Sequence, residues 1–121
     1  MSDIQWSDGT PIYRQLKERV IAMMLDGVLK PQDALPSVRQ VAAEYRLNPI
    51  TVSRAYQELV DEGLVEKRRG LGMFVTEQAA GKLLTAERQR FLNDEWPGIM
   101  ERIRRLGFST QELLQLFEKH S

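Results

Sequence analysis

The 121-residue chain contains no cysteine, which excludes disulfides and thiolate chemistry. Its one histidine, His120, stands one residue from the C-terminus. With no cysteine partners it makes no metal site, and no Ser/His/Asp set can assemble around it. No apolar run approaches the roughly 18 residues of a membrane-spanning helix, and no basic stretch leads into an apolar one as in a secretory leader. These absences predict a cytoplasmic protein with no membrane partner. A Walker-type loop is missing, and "GLG" (70 to 72) is too short for a nucleotide fingerprint. Nothing therefore points to an enzyme, a catalytic residue or a cofactor. Net charge is also absent, because 17 basic residues cancel 17 acidic ones. Taken alone, that balance argues against a polyanionic partner.

What is present is an ordinary globular mixture, 42% hydrophobic and 28% charged, of a size for one small domain and an appendage. The opening "MSDIQWSDGT" reads as a loose terminus with Ile4 and Trp6 as docking residues. From Pro11, the positions Ile12, Leu16, Val20, Met23 and Met24 step at helical spacing, with Thr10 as N-cap, Pro11 as first helical residue and Gly27 at the end. "LKPQDALPS" (29 to 37) is a loop by its prolines. Ser37 with Gln40 forms a capping box for a second helix, whose inner face is Val38, Val41, Ala42 and Tyr45.

A third helix begins cleanly, with Asn48 as cap and Pro49 at its first position, and runs to about Glu62 before Gly63. Val52, Ala55, Tyr56 and Leu59 share one face, which makes Tyr56 a core residue. Ile50, Ser53, Arg54 and Gln57 share the opposite face, with Thr51 on its flank. "LVEKRRGLGMFV" then reads as two short strands joined by a glycine-bearing turn. Two helices and a hairpin in this order make a winged helix-turn-helix, in which the third helix enters the DNA major groove and the basic hairpin tip approaches phosphates or the minor groove. Local charge agrees. Residues 37 to 57 hold Arg39, Arg46 and Arg54 against Glu44 alone, and residues 63 to 76 hold Lys67, Arg68 and Arg69 against Glu66 alone. The zero total hides a one-sided basic surface.

The stretch "ALPSVRQVAAEYRLNPITVSRAYQELVDEGLVEKRRGLGMFV" resembles the DNA-binding domain of GntR-family bacterial transcription regulators. The matching pieces are "LPS-x-R" (35 to 39), "TVSRAYQEL" (51 to 59), "EGLV" (62 to 65) and "RRGLGMFV" (68 to 75), with "GTPIYRQLKERV" (9 to 20) before them. "NPITVSRAYQEL" and the short tail are most similar to the YtrA-type subfamily. The resemblance implies that Arg39 contacts DNA and that Asn48, Thr51 and Arg54 lie in the recognition segment. It also implies that Gly70 and Gly72 let the wing tip enter the minor groove. Ser37, Pro49, Ile50, Ser53, Gln57, Arg68 and Arg69 complete the expected DNA-binding set. The sequence departs from many relatives, which carry Ser-Arg at Asn48 and Pro49 and a basic residue at Ser53, so its operator preference should differ. Plainer readings stand beside these: Arg39 and Arg54 as solvated helix residues, "KRR" as a solvated face, and the wing glycines as shapers of the turn alone.

The 45 residues after Thr76 read as helix. Leu84, Phe91, Leu92, Trp96, Ile99, Met100, Ile103 and Leu106 recur at steps of three and four. Pro97 interrupts them and should kink the helix or mark a restart capped by Asn93 or Asp94. Gly107 stops it, and Ser109 with Glu112 caps a last helix carrying Leu113, Leu114, Leu116 and Phe117. Such a tail must cover its apolar face on its own domain or on a second copy. YtrA-type relatives dimerise through such a tail, so the expected architecture is mainly α with a small β-hairpin. Residues 1–76 form a winged helix-turn-helix domain and residues 77–121 a helical dimerisation tail. The expected function is that of a repressor binding a palindromic double-stranded operator as a homodimer, with any small-molecule effector at the subunit interface. The competing class is a winged-helix protein-interaction module without DNA binding.

Overall fold

The computed structural model describes residues 6–121 and divides them between two compact units, one ending at Leu84 and one spanning Thr85–Ser121. Ile4 lies outside the described residues.

The first unit contains helices α1 (Ile12–Leu25), α2 (Val38–Tyr45) and α3 (Pro49–Asp61), followed by strands β1 (Val65–Arg68) and β2 (Gly72–Val75). The start of α1 differs from the expected Thr10 cap. Pro11 is the N-cap, with no side-chain capping bond. Gln15 explains this: its Nε2 donates to the Thr10 and Ser7 carbonyls, and its Oε1 accepts from the Ser7 N–H, so one side chain ties down the entry to the helix. Asp26 is the C-cap of α1, with Gly27 beyond it in the left-handed region at φ +77°. The box of Ser37 and Gln40 opens α2 as expected, and Asn48 with Pro49 opens α3. Between those helices Arg46 takes the left-handed conformation at φ +55°, which no glycine signalled.

The core is the meeting of three faces: Leu16, Val20 and Met24 of α1; Val41 and Ala42 of α2; and Val52, Ala55, Tyr56 and Leu59 of α3. Ile12, by contrast, is exposed, and Ile21 packs against the core instead. Leu35, Leu64, Val65 and Val75 close the core from the hairpin side. Trp6 packs edge-on against Tyr45 at 6.3 Å between ring centroids, the docking role read for it. The Tyr56 hydroxyl donates to the Pro36 carbonyl at 2.7 Å.

β1 and β2 pair antiparallel, Val65 opposite Val75 and Arg68 opposite Gly72. The proline loop does more than connect. Its Gln32 and Leu35 N–H groups donate to Val75 and Met73, and it accepts from the Val75 N–H through Asp33, so it lies along the free edge of β2. The wing is thereby held at its root from both sides. The core continues past Thr76: Ala79 and Leu83, in the first turns of α4 (Ala79–Arg90), are buried in it. Lys82 Nζ donates to the Glu62 carbonyl at 3.4 Å, placing a cation at the C-terminal end of α3, where the helix dipole favours it.

In the second unit the helical path continues through a π turn (Phe91–Glu95) into α5 (Trp96–Leu106), then α6 (Thr110–Lys119). Pro97 brings neither a break nor a restart capped by Asn93 or Asp94. Those residues lie inside the π turn, Asn93 accepting from Gln89 Nε2. The Trp96 N–H reaches five residues back to the Phe91 carbonyl, and this widened turn stands immediately before the ring that lacks an N–H donor. Gly107 ends α5 at φ +76°, and the box of Ser109 and Glu112 opens α6. No residue of α5 or α6 is buried in the single chain.

Candidate nucleic-acid interface

The outward face of α3 is set by its inward one. With Val52, Ala55, Tyr56 and Leu59 almost wholly inaccessible, the helical repeat leaves Ile50, Ser53, Arg54 and Gln57 exposed. Thr51 is half-buried on the flank. At the start of the helix, the Asn48 Oδ1 accepts from the Ile50 N–H at 2.9 Å. Ser37 is exposed at the head of α2, with its hydroxyl oxygen accepting from the Gln40 N–H at 3.1 Å. Arg39 follows it, exposed, one residue into the same helix.

A groove of about 620 Å³ separates α3 from the wing. Its walls include Ser37, Ser53 and Gln57 on the helix side and Lys67, Gly70, Leu71 and Gly72 on the hairpin side. The sequence-predicted residues from three separate stretches therefore meet around one concavity. Gly70 and Gly72 have φ of +77° and +114°, the left-handed region open to glycine, and no atom lies within 4 Å of the place where a Cβ would stand on either.

The basic side chains divide into two groups. Arg39, Arg46, Lys67 and Arg69 are exposed, and their side chains have no hydrogen-bond or ion-pair partner among the described residues. Arg54 and Arg68 are held. Arg54 donates through Nη2 to the Tyr13 hydroxyl at 3.2 Å, and its guanidinium lies over the Tyr13 ring at 3.9 Å from the centroid. Its Nε is also 3.9 Å from Glu58, whose other oxygen pairs with Lys17 at 3.2 Å. Arg68 is pinned by Glu66 at 2.8 Å, by Gln32 and by the Phe74 ring. It ends β1 on the strand face of Glu66 and Phe74, so Arg69 carries the charge at the turn itself.

Two residues here were not among the predicted contacts. Lys67 was counted in the basic run but not assigned. Strand alternation was the available signal, since it turns Lys67 with Met73 to the face opposite Glu66 and Arg68. Leu71, at the apex of the turn, is 73% exposed, and only its place between two glycines marks it in the sequence.

Among the described residues no cluster of three His, Cys, Asp or Glu side chains could hold a metal ion, and no helix is long and apolar enough to cross a membrane. Of the tail residues expected at an interface, Leu84 is exposed on α4. Phe91, Leu92, Trp96, Ile99, Leu106, Leu114 and Phe117 are exposed in the second unit, and Met100, Ile103 and Leu113 are partly covered.

Comparison with known proteins bears on this arrangement directly. Residues 12–75 match the family described as bacterial regulatory proteins, gntR family. The HTH-type transcriptional regulator YhcF of Bacillus subtilis is 32% identical over 113 residues, covering 93% of this chain and 92% of that protein. The HTH-type transcriptional repressor YtrA of the same organism is 43% identical over 84 residues, covering 69% of this chain and 65% of that protein. Among solved structures, a transcriptional regulator from Oenococcus oeni superposes with a TM-score of 0.69 at 25% identity over 98% of each chain. The DNA-binding domain of AraR in complex with an operator superposes with a TM-score of 0.54 at 26% identity, over 61% of this chain and 95% of that one. A helix-turn-helix with a glycine-tipped wing, matched across its whole length by that family, makes this chain a winged-helix member of the gntR family of bacterial regulatory proteins, with the YtrA-type regulators among its relatives: a transcription regulator and not an enzyme.

Proposed function

We propose that the chain is a repressor that binds a palindromic operator as a homodimer in the cytoplasm. The observation that carries this reading is the single groove between α3 and the wing, with three unpartnered cations, Arg39, Lys67 and Arg69, on the elements that border it. The outer face of α3 enters the major groove, where Ile50, Ser53, Arg54 and Gln57 meet base edges. Ser37, Arg39 and the wing take phosphates, and Gly70 and Gly72 allow the backbone of the tip to approach the minor groove. The roles of Asn48 and Pro49 are to start that helix stiffly.

The tail supplies the second half of the reading. Trp96, Ile99, Met100 and Ile103 form one stripe on α5, while Glu101 pairs with both Arg104 and Arg105 on its polar side. A second copy covering that stripe and the apolar residues of α6 sets two recognition helices on half-sites roughly 34 Å apart, one turn of duplex. A small-molecule effector would bind between subunits. The relatives' printed names favour repression: YtrA is a repressor.

The test is a binding titration of the full chain on duplex DNA across a salt series. Loss of one phosphate contact from each of two subunits lowers the salt slope by about 2 units, so Arg39→Ala, Lys67→Ala and Arg69→Ala should each do so and weaken all sequences alike. A chain that binds no duplex would instead be a winged-helix protein-interaction module.

A further inference from the structure

Of the polar readers expected at the start of α3, Asn48 is committed to the cap. Asn48 spends its carboxamide oxygen on the Ile50 N–H, 2.9 Å away. That oxygen is the acceptor an asparagine needs for the two-bond contact with adenine. Pro49 has no side-chain donor or acceptor. Arg54, oriented by Tyr13, and Gln57, whose Nε2 donates to Asp61 at 2.9 Å, lie beyond the first turn. Beside the Thr51 and Ser53 hydroxyls, the start of the helix presents a large apolar group. Ile50 is 75% exposed, more than any other large hydrophobic side chain among the described residues of the first unit. Its neighbours on the inner face are almost wholly inaccessible, so no packing demand accounts for its size. Its β-branched side chain also stands on a backbone fixed by the cap, which restricts its rotamers.

An apolar group offered to the major groove has one complementary feature there, the C5-methyl of thymine. We propose that Ile50 reads a thymine methyl, so that each half-site holds a T·A pair recognised by apolar contact and not by hydrogen bonds. The inference rests on the placement of α3 in the major groove and adds what its first turn selects.

The test uses the full chain and duplexes it enriches from a randomised double-stranded pool. Each thymine of an enriched duplex is replaced in turn by deoxyuridine, which lacks only the methyl. One thymine per half-site should respond, with binding weaker by about fourfold, the value of one buried methyl-sized group. Placing 5-methylcytosine opposite guanine at that position should bind better than cytosine does. Ile50→Ala should bind the thymine and deoxyuridine duplexes equally, with an unchanged salt slope, because no charge is involved. Ile50→Val should keep part of the discrimination. The inference is overturned if no thymine responds, or if Ile50→Ala retains the deoxyuridine penalty. If the full chain enriches no sequence at all, the major-groove placement fails first and the thymine contact with it.

Discussion

Arg54 of α3 rests on Tyr13 of α1: the ring lies 3.9 Å beneath the guanidinium carbon, and the hydroxyl accepts from Nη2 at 3.2 Å. A residue outside the helix-turn-helix thus fixes the direction of a long cationic side chain that is 62% exposed. Tyr13→Ala frees that side chain and adds the entropy of ordering it to the cost of binding. An exposed cation–π contact is worth about 0.5–1 kcal/mol, so DNA affinity should fall about two- to fivefold. Tyr13→Phe, which keeps the ring, should fall less. In the Arg54→Ala background the Tyr13 substitutions should have no effect on binding; additive losses in a double-mutant cycle would show that Tyr13 acts independently of Arg54.

Tyr56 makes the fold alkali-sensitive. Burial pushes its hydroxyl up to about 12 from the ordinary 10, and the Lys17 ammonium is raised above its ordinary 10.5, first by its bond to Glu62. Both folded values lie above the unfolded ones. Their contributions are therefore complete below about pH 10 and are lost as pH rises towards 12. Urea melts between those limits should show declining stability, and Tyr56→Phe should flatten part of the decline. At neutral pH that variant should lose about 0.5–1.5 kcal/mol, the net worth of the hydrogen bond to Pro36. An unaltered alkaline slope in Tyr56→Phe would move the effect entirely to Lys17.

Gly70 separates turn shape from DNA approach. Its φ is +77°, and nothing lies within 4 Å of a built Cβ, so Gly70→Val adds backbone strain without a clash. The left-handed conformation costs an L-residue roughly 1–2 kcal/mol, borne by a hairpin tip that holds no core residue. The melting temperature should shift by a few degrees at most while DNA binding weakens clearly. A collapse of the melting transition would make the glycine a structural requirement and leave the minor-groove role unsupported.

The proposed dimer depends on the tail. Ending the chain after Thr76 would remove the buried Ala79 and Leu83, so the informative truncation falls after Leu84. Light scattering should find the full chain dimeric at micromolar concentration and the truncation monomeric. In the full chain Ile99→Glu, which places a charge in the α5 stripe, should also give monomers. Each buried Leu, Ile or Phe contributes roughly 1.5–3 kcal/mol, enough for half a dozen per subunit to sustain a dimer. A dimeric truncation would place the contact in the first unit.

The sequence by itself determined the elements and their order, because their signals are local. Asn48 before Pro49, Ser37 before Gln40, Ser109 before Glu112 and the glycines at 27, 63 and 107 each act within one turn of backbone, and each marks an observed helix end. The inward and outward faces of α3 followed from the same 3.6-residue repeat. What only the tertiary structure decided is which side chains have partners. "KRR" is one run in the sequence, yet strand alternation turns Arg68 to the face of Glu66 and Phe74 and Lys67 to the opposite face, with Gln32, 36 residues away, completing the hold on Arg68. Arg54 meets Tyr13 across 41 residues, and the proline loop meets the edge of β2. The π turn before Pro97 likewise replaced the capped restart, since a helix can widen by one residue and stay hydrogen-bonded. Such pairings depend on which faces the core brings together, and no local spacing encodes that distance.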